Sequence, residues 1–172
     1  MNMRNRFLVL PIVGTALALA GVGLAPMASA ADSGLQYVNR TTANGLGSNW
    51  VKAVFVDGSN VYAATVPQGY SPPTGGGLSI STDGGATFTN KTTTNGLGSN
   101  DVRGVFAVGS TIYAATYPVG YPGTGGGLSI STDGGTTWTT KTSAVLGSNF
   151  VTSVYVVAGT PNTIYVGTKL ND

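Results

Sequence analysis

Hydrophobic and polar positions fall into two regimes along the chain. From Phe7 to Leu24 the sequence is almost wholly apolar. After Ala30 the apolar residues come in short bursts separated by Gly, Ser, Thr and Asn. None of these bursts keeps the 3.6-residue period of an amphipathic helix. They are rich in β-branched and aromatic residues: Val51 to Val56, Val102 to Val108 and Val151 to Val157. Each is followed by a second burst, at Val61 to Thr65, Ile112 to Thr116 and Ile164 to Thr168. These runs predict strands. They do not alternate cleanly, and Val154-Tyr155-Val156-Val157 is apolar throughout, as in strands covered on both faces.

The pattern repeats. Gly77-Leu78-Ser79-Ile80-Ser81-Thr82-Asp83-Gly84-Gly85-Ala86-Thr87-Phe88 returns fifty positions on as Gly127-Leu128-Ser129-Ile130-Ser131-Thr132-Asp133-Gly134-Gly135-Thr136-Thr137-Trp138. A short Leu-x-Ile alternation runs into a turn and emerges at an aromatic residue, which predicts strand, turn, strand. The Asp can accept backbone N–H groups across the turn, and the Gly pair supplies positive φ angles. Around this stretch each unit carries a loop, Asn44 to Asn49, Asn95 to Asn100 and a worn copy at Leu146 to Asn149. Asn-Gly and Gly-Ser mark these as turns, and the recurring Leu is expected to plug the space between sheets.

Each unit thus holds four strands in about fifty residues, a length that predicts a β-propeller blade. The expected fold is all-β, a propeller of four-stranded antiparallel blades, incomplete in this chain. The expected division is a fourth strand at 35–42, blades at 45–94 and 96–144, and a part-blade at 146–168. Propellers close with about 4–8 blades. The expectation is therefore either a fragment of a longer product or a homo-oligomer that completes the ring, since a lone copy exposes two blade faces.

The Ser-x-Asp-x-Gly-x-Thr-(Trp/Phe) pattern of Ser81, Asp83, Gly85, Thr87 and Phe88, and of Ser131, Asp133, Gly135, Thr137 and Trp138, resembles the Asp-box, the bacterial neuraminidase repeat. The Asn-Gly-Leu-x-Ser-Asn-x-Val opening and the Gly-Gly-Leu-Ser close are also similar to the propeller repeats of bacterial two-component sensors. Asp-box families include sialidases and other glycosidases, sorting receptors and a photosystem assembly factor. The resemblance implies a propeller in which the Asp-box braces a hairpin, and it selects none of these activities.

Composition and charge narrow the function. Arg4 and Arg6, the apolar run and Ala28-Ser29-Ala30 form the pattern of a secretory signal, with cleavage expected after Ala30 and export as the consequence. An uncleaved anchor is the rival reading, because the run is near the length that spans a bilayer. Without Cys there is neither a lipid anchor nor a disulfide. Beyond residue 30, Arg40, Arg103, Lys52, Lys91, Lys141 and Lys169 balance Asp32, Asp57, Asp83, Asp101, Asp133 and Asp172. No basic patch predicts nucleic acid as a partner, and no membrane contact is expected after cleavage. Arg40, Lys91 and Lys141 recur on the fourth strand, where charge discourages further strand pairing.

Catalytic chemistry is hard to assemble. A sialidase-like site implies three Arg, a Tyr–Glu pair and an Asp; the sequence has no Glu, and only Arg40 and Arg103 follow Ala30. With neither His nor Cys, it lacks the usual triads, thiol nucleophiles and zinc ligands. Asp83 and Asp133 are assigned to turns. No catalytic residue, cofactor or metal is expected. Gly75-Gly76-Gly77 lacks the Lys of a phosphate loop and reads as turn material.

A ligand is expected instead at the end where the loops between second and third strands meet those between units. These loops, Val66 to Thr74 and Tyr117 to Thr124, are longer than a hairpin needs and hold Tyr beside Pro. Tyr70, Tyr121 and Tyr117, with Trp50 and Asp101 beside them, are the candidate ligand contacts. Trp50 and Phe150 also fit as core plugs. The expected function is an exported, non-catalytic module that recognises a protein or surface-glycan partner. Alternatives are a piece of a larger Asp-box glycosidase with its catalytic residues elsewhere, or of an extracytoplasmic sensor domain.

Overall fold

The computed structural model describes residues 37–69, 73–120 and 123–170, and the backbone of 7–9. The expected cleavage site at Ala28 to Ala30 lies outside these residues. Among the described residues no helix is long and apolar enough to cross a membrane.

The chain is built of antiparallel sheets. A first pair joins β1 (Phe7–Val9) to β2 (Val38–Arg40). The first four-stranded sheet runs in sequence order through β3 (Val51–Asp57), β4 (Asn60–Thr65), β5 (Gly77–Ser81) and β6 (Thr89–Lys91). The second repeats it with β7 (Asp101–Val108), β8 (Thr111–Tyr117), β9 (Gly127–Ser131) and β10 (Thr139–Lys141). A two-stranded sheet of β11 (Phe150–Val157) and β12 (Thr163–Lys169) follows. Among the described residues no sheet closes on itself.

Registers repeat as the sequence does. Tyr62 faces Ile80 across β4 and β5, and Tyr113 faces Ile130 across β8 and β9. The first strand of each unit shifts register at one place, around Lys52, Arg103 and Thr152. Such a bulge leaves one residue unpaired and re-aims its side chain.

The sheets stack through their faces. β4 and β8 are buried along nearly their whole length, whereas β11, whose unbroken Val154-Tyr155-Val156-Val157 run predicts cover on both faces, leaves Tyr155 and Val157 exposed. Tyr62, Ala64 and Leu78 of the first sheet meet Leu97, Val102, Val105, Ala107, Ile112 and Ala114 of the second. Tyr113 and Leu128 of the second meet Val156 of the third. Leu46 and Leu97 are buried as plugs, and Leu146 is partly buried. Phe55, Phe106 and Tyr155, equivalent residues of successive units, form a ladder with ring centroids 4.5 and 5.0 Å apart.

Each Ser-x-Asp-Gly-Gly connection is a self-contained hydrogen-bonded turn. Asp83 accepts from the Thr87 hydroxyl at 2.6 Å, from the Thr87 amide at 3.0 Å and from the Ser81 hydroxyl at 2.7 Å. Ser81 Oγ in turn accepts from the Gly85 amide at 2.8 Å. Asp133, Thr137, Ser131 and Gly135 repeat the arrangement. Gly84 and Gly85 have φ of 70° and 85°, as the turn demands. Trp138 packs against the core between the first two sheets, while Phe88 is buried with Leu46, Val61 and Ala63 of its own unit. The Gly84 and Gly134 amides bond to Ser59 and Ser110, so these turns share an end with the first hairpin of each unit.

Candidate functional site

At the opposite end, the loop entering each unit leans on the connection between its second and third strands. The loop begins with a single 3-10 turn, Thr42–Asn44, repeated at Thr93–Asn95. Thr41 and Thr92 cap these turns, and Asn44 and Asn95 reach back to complete the capping boxes. The third loop lacks the Asn-Gly pair and is one residue shorter, and it forms the short helix α1 (Ser143–Leu146) instead. A second Asn closes every loop: Asn49, Asn100 and Asn149 accept the amides of Thr42, Thr93 and Ser143.

The Gly-rich stretch is where these parts converge. The Gly76 amide donates to Gly47 O and the Gly126 amide to Gly98 O, both at 2.9 Å. A Cβ on Gly76 would lie 2.4 Å from Asn100 O of the next unit, and one on Gly126 equally close to Asn149 O. Only glycine permits that approach. Ser79 and Ser129, both fully buried, accept the Gly47 and Gly98 amides and bond onward to Asn90 and Thr140. The loops are thereby fixed to the sheet by hydrogen-bonded buried polar groups.

Two equivalent clefts result, each of about 230 Å³. Thr42, Gly47, Ser48, Asn49, Gln68, Thr74 and Gly75 line the first. Thr93, Gly98, Ser99, Asn100, Val119, Thr124 and Gly125 line the second, with Pro67 and Pro73 of the preceding unit. Among the described residues no charged side chain lines either. In the first, Gln68 donates to Ser48 Oγ at 3.1 Å. In the second, Val119 replaces Gln68, so the two are alike in shape but not identical in polarity.

The residues singled out from sequence distribute unevenly about these clefts. Tyr70 and Tyr121 lie outside the described residues; in sequence they fall between Gln68 and Thr74, and between Val119 and Thr124, whose backbones bridge. Tyr117 and Asp101 belong to one cluster. Arg103, re-aimed by the β7 bulge, makes a bidentate ion pair with Asp101, both contacts 2.9 Å. Its guanidinium lies 3.3 Å from the centre of the Tyr117 ring, and Phe150 of the third unit meets that ring edge-on at 4.9 Å. Burial opposes the charge on Arg103, yet hydrogen bonding and attraction from Asp101 raise its pKa. This cluster fastens the second unit to the third and leaves Tyr117 half-buried. Phe150 is half-buried against that ring. Trp50, its counterpart in the first unit, is exposed, and among the described residues no equivalent of Tyr117 meets it.

Sequence reasoning did not single out Ser48, Asn49, Gln68 and Thr74 or their counterparts. The signal was present in the threefold Gly-Ser-Asn at 47–49, 98–100 and 147–149. Among the described residues no group of three His, Cys, Asp or Glu side chains is placed to hold a metal ion. No protein-family model matches the chain, and neither a curated protein nor a solved structure matches it.

Proposed function

We propose that the chain is part of an exported, non-catalytic β-propeller of Asp-box type that recognises a partner through its repeated clefts. The observation that carries this reading is the pair of equivalent 230 Å³ clefts at the same end of successive sheets. Their lining is uncharged and rich in hydroxyl and amide groups, with proline providing apolar surface in the second. That chemistry suits the hydroxyls and apolar ring faces of neutral sugars more than a charged peptide. A surface glycan presenting the same unit repeatedly fits two like clefts, because linked sites gain avidity without new contacts. Tyr70 and Tyr121, which in sequence fall between residues that line the clefts, are the proposed stacking platforms.

The Asp-box reading draws support from the hydrogen bonds of Asp83 and Asp133, which leave both carboxylates occupied within their turns. The stacked sheets and their common registers support the propeller. A catalytic reading gains nothing from the clefts, which contain no acid, base or nucleophile beyond neutral hydroxyls.

The test is a neutral-glycan array probed with the exported protein and with a Thr74→Trp/Thr124→Trp variant. Both threonines are exposed at the cleft walls, and the larger side chains fill them. The wild type is expected to bind a defined set of glycans, with at least a tenfold loss in the filled variant. Tyr70→Ala/Tyr121→Ala is expected to lose binding while keeping its β-sheet circular dichroism. Binding unchanged in both variants would refute the site.

A further inference from the structure

The internal stacking of the sheets shows what would cover the two outer faces of the described stack. Val105 and Ala107 of β7 are 7% and 4% exposed, because the first sheet covers them. Their counterparts in the first unit, Val54 and Val56, are 42% and 57% exposed. At the other end the relation reverses. Tyr62 and Tyr113 are 4% and 5% exposed beneath the next unit, whereas their counterpart Tyr165 is 59% exposed. Tyr155, the last rung of the aromatic ladder, is exposed to the same degree.

We infer that a second copy of this chain docks head to tail, the Tyr155/Tyr165 face of one copy covering the Val54/Val56 face of the next. The occupant follows from the internal interfaces. What buries Val105 and Ala107 is a face carrying Phe55 and Tyr62, and Tyr155 and Tyr165 are the same positions two units later. Docking continues the ladder from Tyr155 to Phe55 of the next copy. At its edge, Lys169 stands where Tyr117 stands in the second unit, and Trp50 stands where Phe150 stands in the third. The internal Tyr117–Phe150 contact thus becomes a Lys169–Trp50 contact, a cation over an aromatic face. Such an interface is heterologous: each copy uses two different surfaces, so the assembly closes into a ring or extends as a filament. The inference rests on the sheet stacking and is independent of what the clefts bind.

Light scattering on the full exported chain tests it, with Val54→Asp blocking one face and Tyr165→Asp the other. Both sites are exposed, so circular dichroism is expected to match the wild type. The wild type is expected at twice the chain mass or more across a micromolar series. Each variant alone is expected as a monomer. Mixed in equal amounts they retain one intact face of each kind, and the expected product is a dimer that grows no further. A monomeric wild type overturns the inference, and this measurement decides the matter even where a variant fails to fold. Variants that still assemble alone overturn the assigned faces. Monomeric variants that do not pair on mixing overturn the head-to-tail arrangement.

Discussion

Asp83 and Asp133 hold their turns by accepting hydrogen bonds that only a carboxylate accepts in full. The hydroxyls of Thr87 and Thr137 contribute most, followed by their amides and by Ser81 and Ser131. Both pKa values fall below the ordinary 3.8, Asp133 to about 2 and Asp83 lower still. The folded chain therefore binds fewer protons than the unfolded one at mildly acidic pH. The stability these groups contribute is complete above about pH 4 and is lost as pH falls through the lowered folded values. Asp83→Asn/Asp133→Asn is expected to unfold at a lower temperature near neutral pH and to show a flatter loss of stability below about pH 4. Thermal unfolding measured across that range checks this; parallel curves for variant and wild type would contradict it. At this scale the sequence was informative, because the turn chemistry is local: Asp, two Gly and Thr at fixed offsets suffice. It was silent about Arg103, whose role depends on a bulge and on a ring from the next strand.

Each element's ends are set by residues that serve two neighbours at once. Gly84 and Gly76 show the difference between a turn and a junction. Gly84 has φ of 70° with open space where a side chain would go, whereas Gly76 has φ of 79° and faces Asn100 O. Gly84→Ala is expected to cost about 1–2 kcal/mol, the strain of a left-handed alanine. Gly76→Ala is expected to cost more, since the backbone of the next unit must also move. Urea midpoints of the two variants give the order directly, and equal midpoints would show that the loops do not meet as described. Strands, hairpin turns and the Leu plugs were legible in the chain because β-rich runs and Gly-Asn signals are short-range. The junction at Gly75 to Gly77 read only as turn material, since its meaning lies in contact with a unit some twenty residues further on. In the third loop, where Asn-Gly is lost, no side chain caps the helical turn, while Gly147, at φ 75°, keeps the left-handed exit.

For the whole molecule, the decisive fact is that one interface is used twice between the described sheets, while the equivalent residues on the two outer faces of the stack, Val54 and Val56 on one and Tyr155 and Tyr165 on the other, are exposed. The periodicity announced stacked four-stranded units, and the structure has them. The clefts were not legible, because their walls come from loops of different units and their residues are ordinary Ser, Asn and Thr. Of the two readings of Trp50, the core plug fails, since its ring is exposed. The central claim is that these sheets belong to a propeller whose clefts repeat around one end. Two-dimensional class averages of the protein by electron microscopy test it most directly. The account predicts a closed ring of radially arranged sheets about a central channel, whether one chain or several complete it. Isolated three-sheet particles, or open filaments in place of rings, would contradict it.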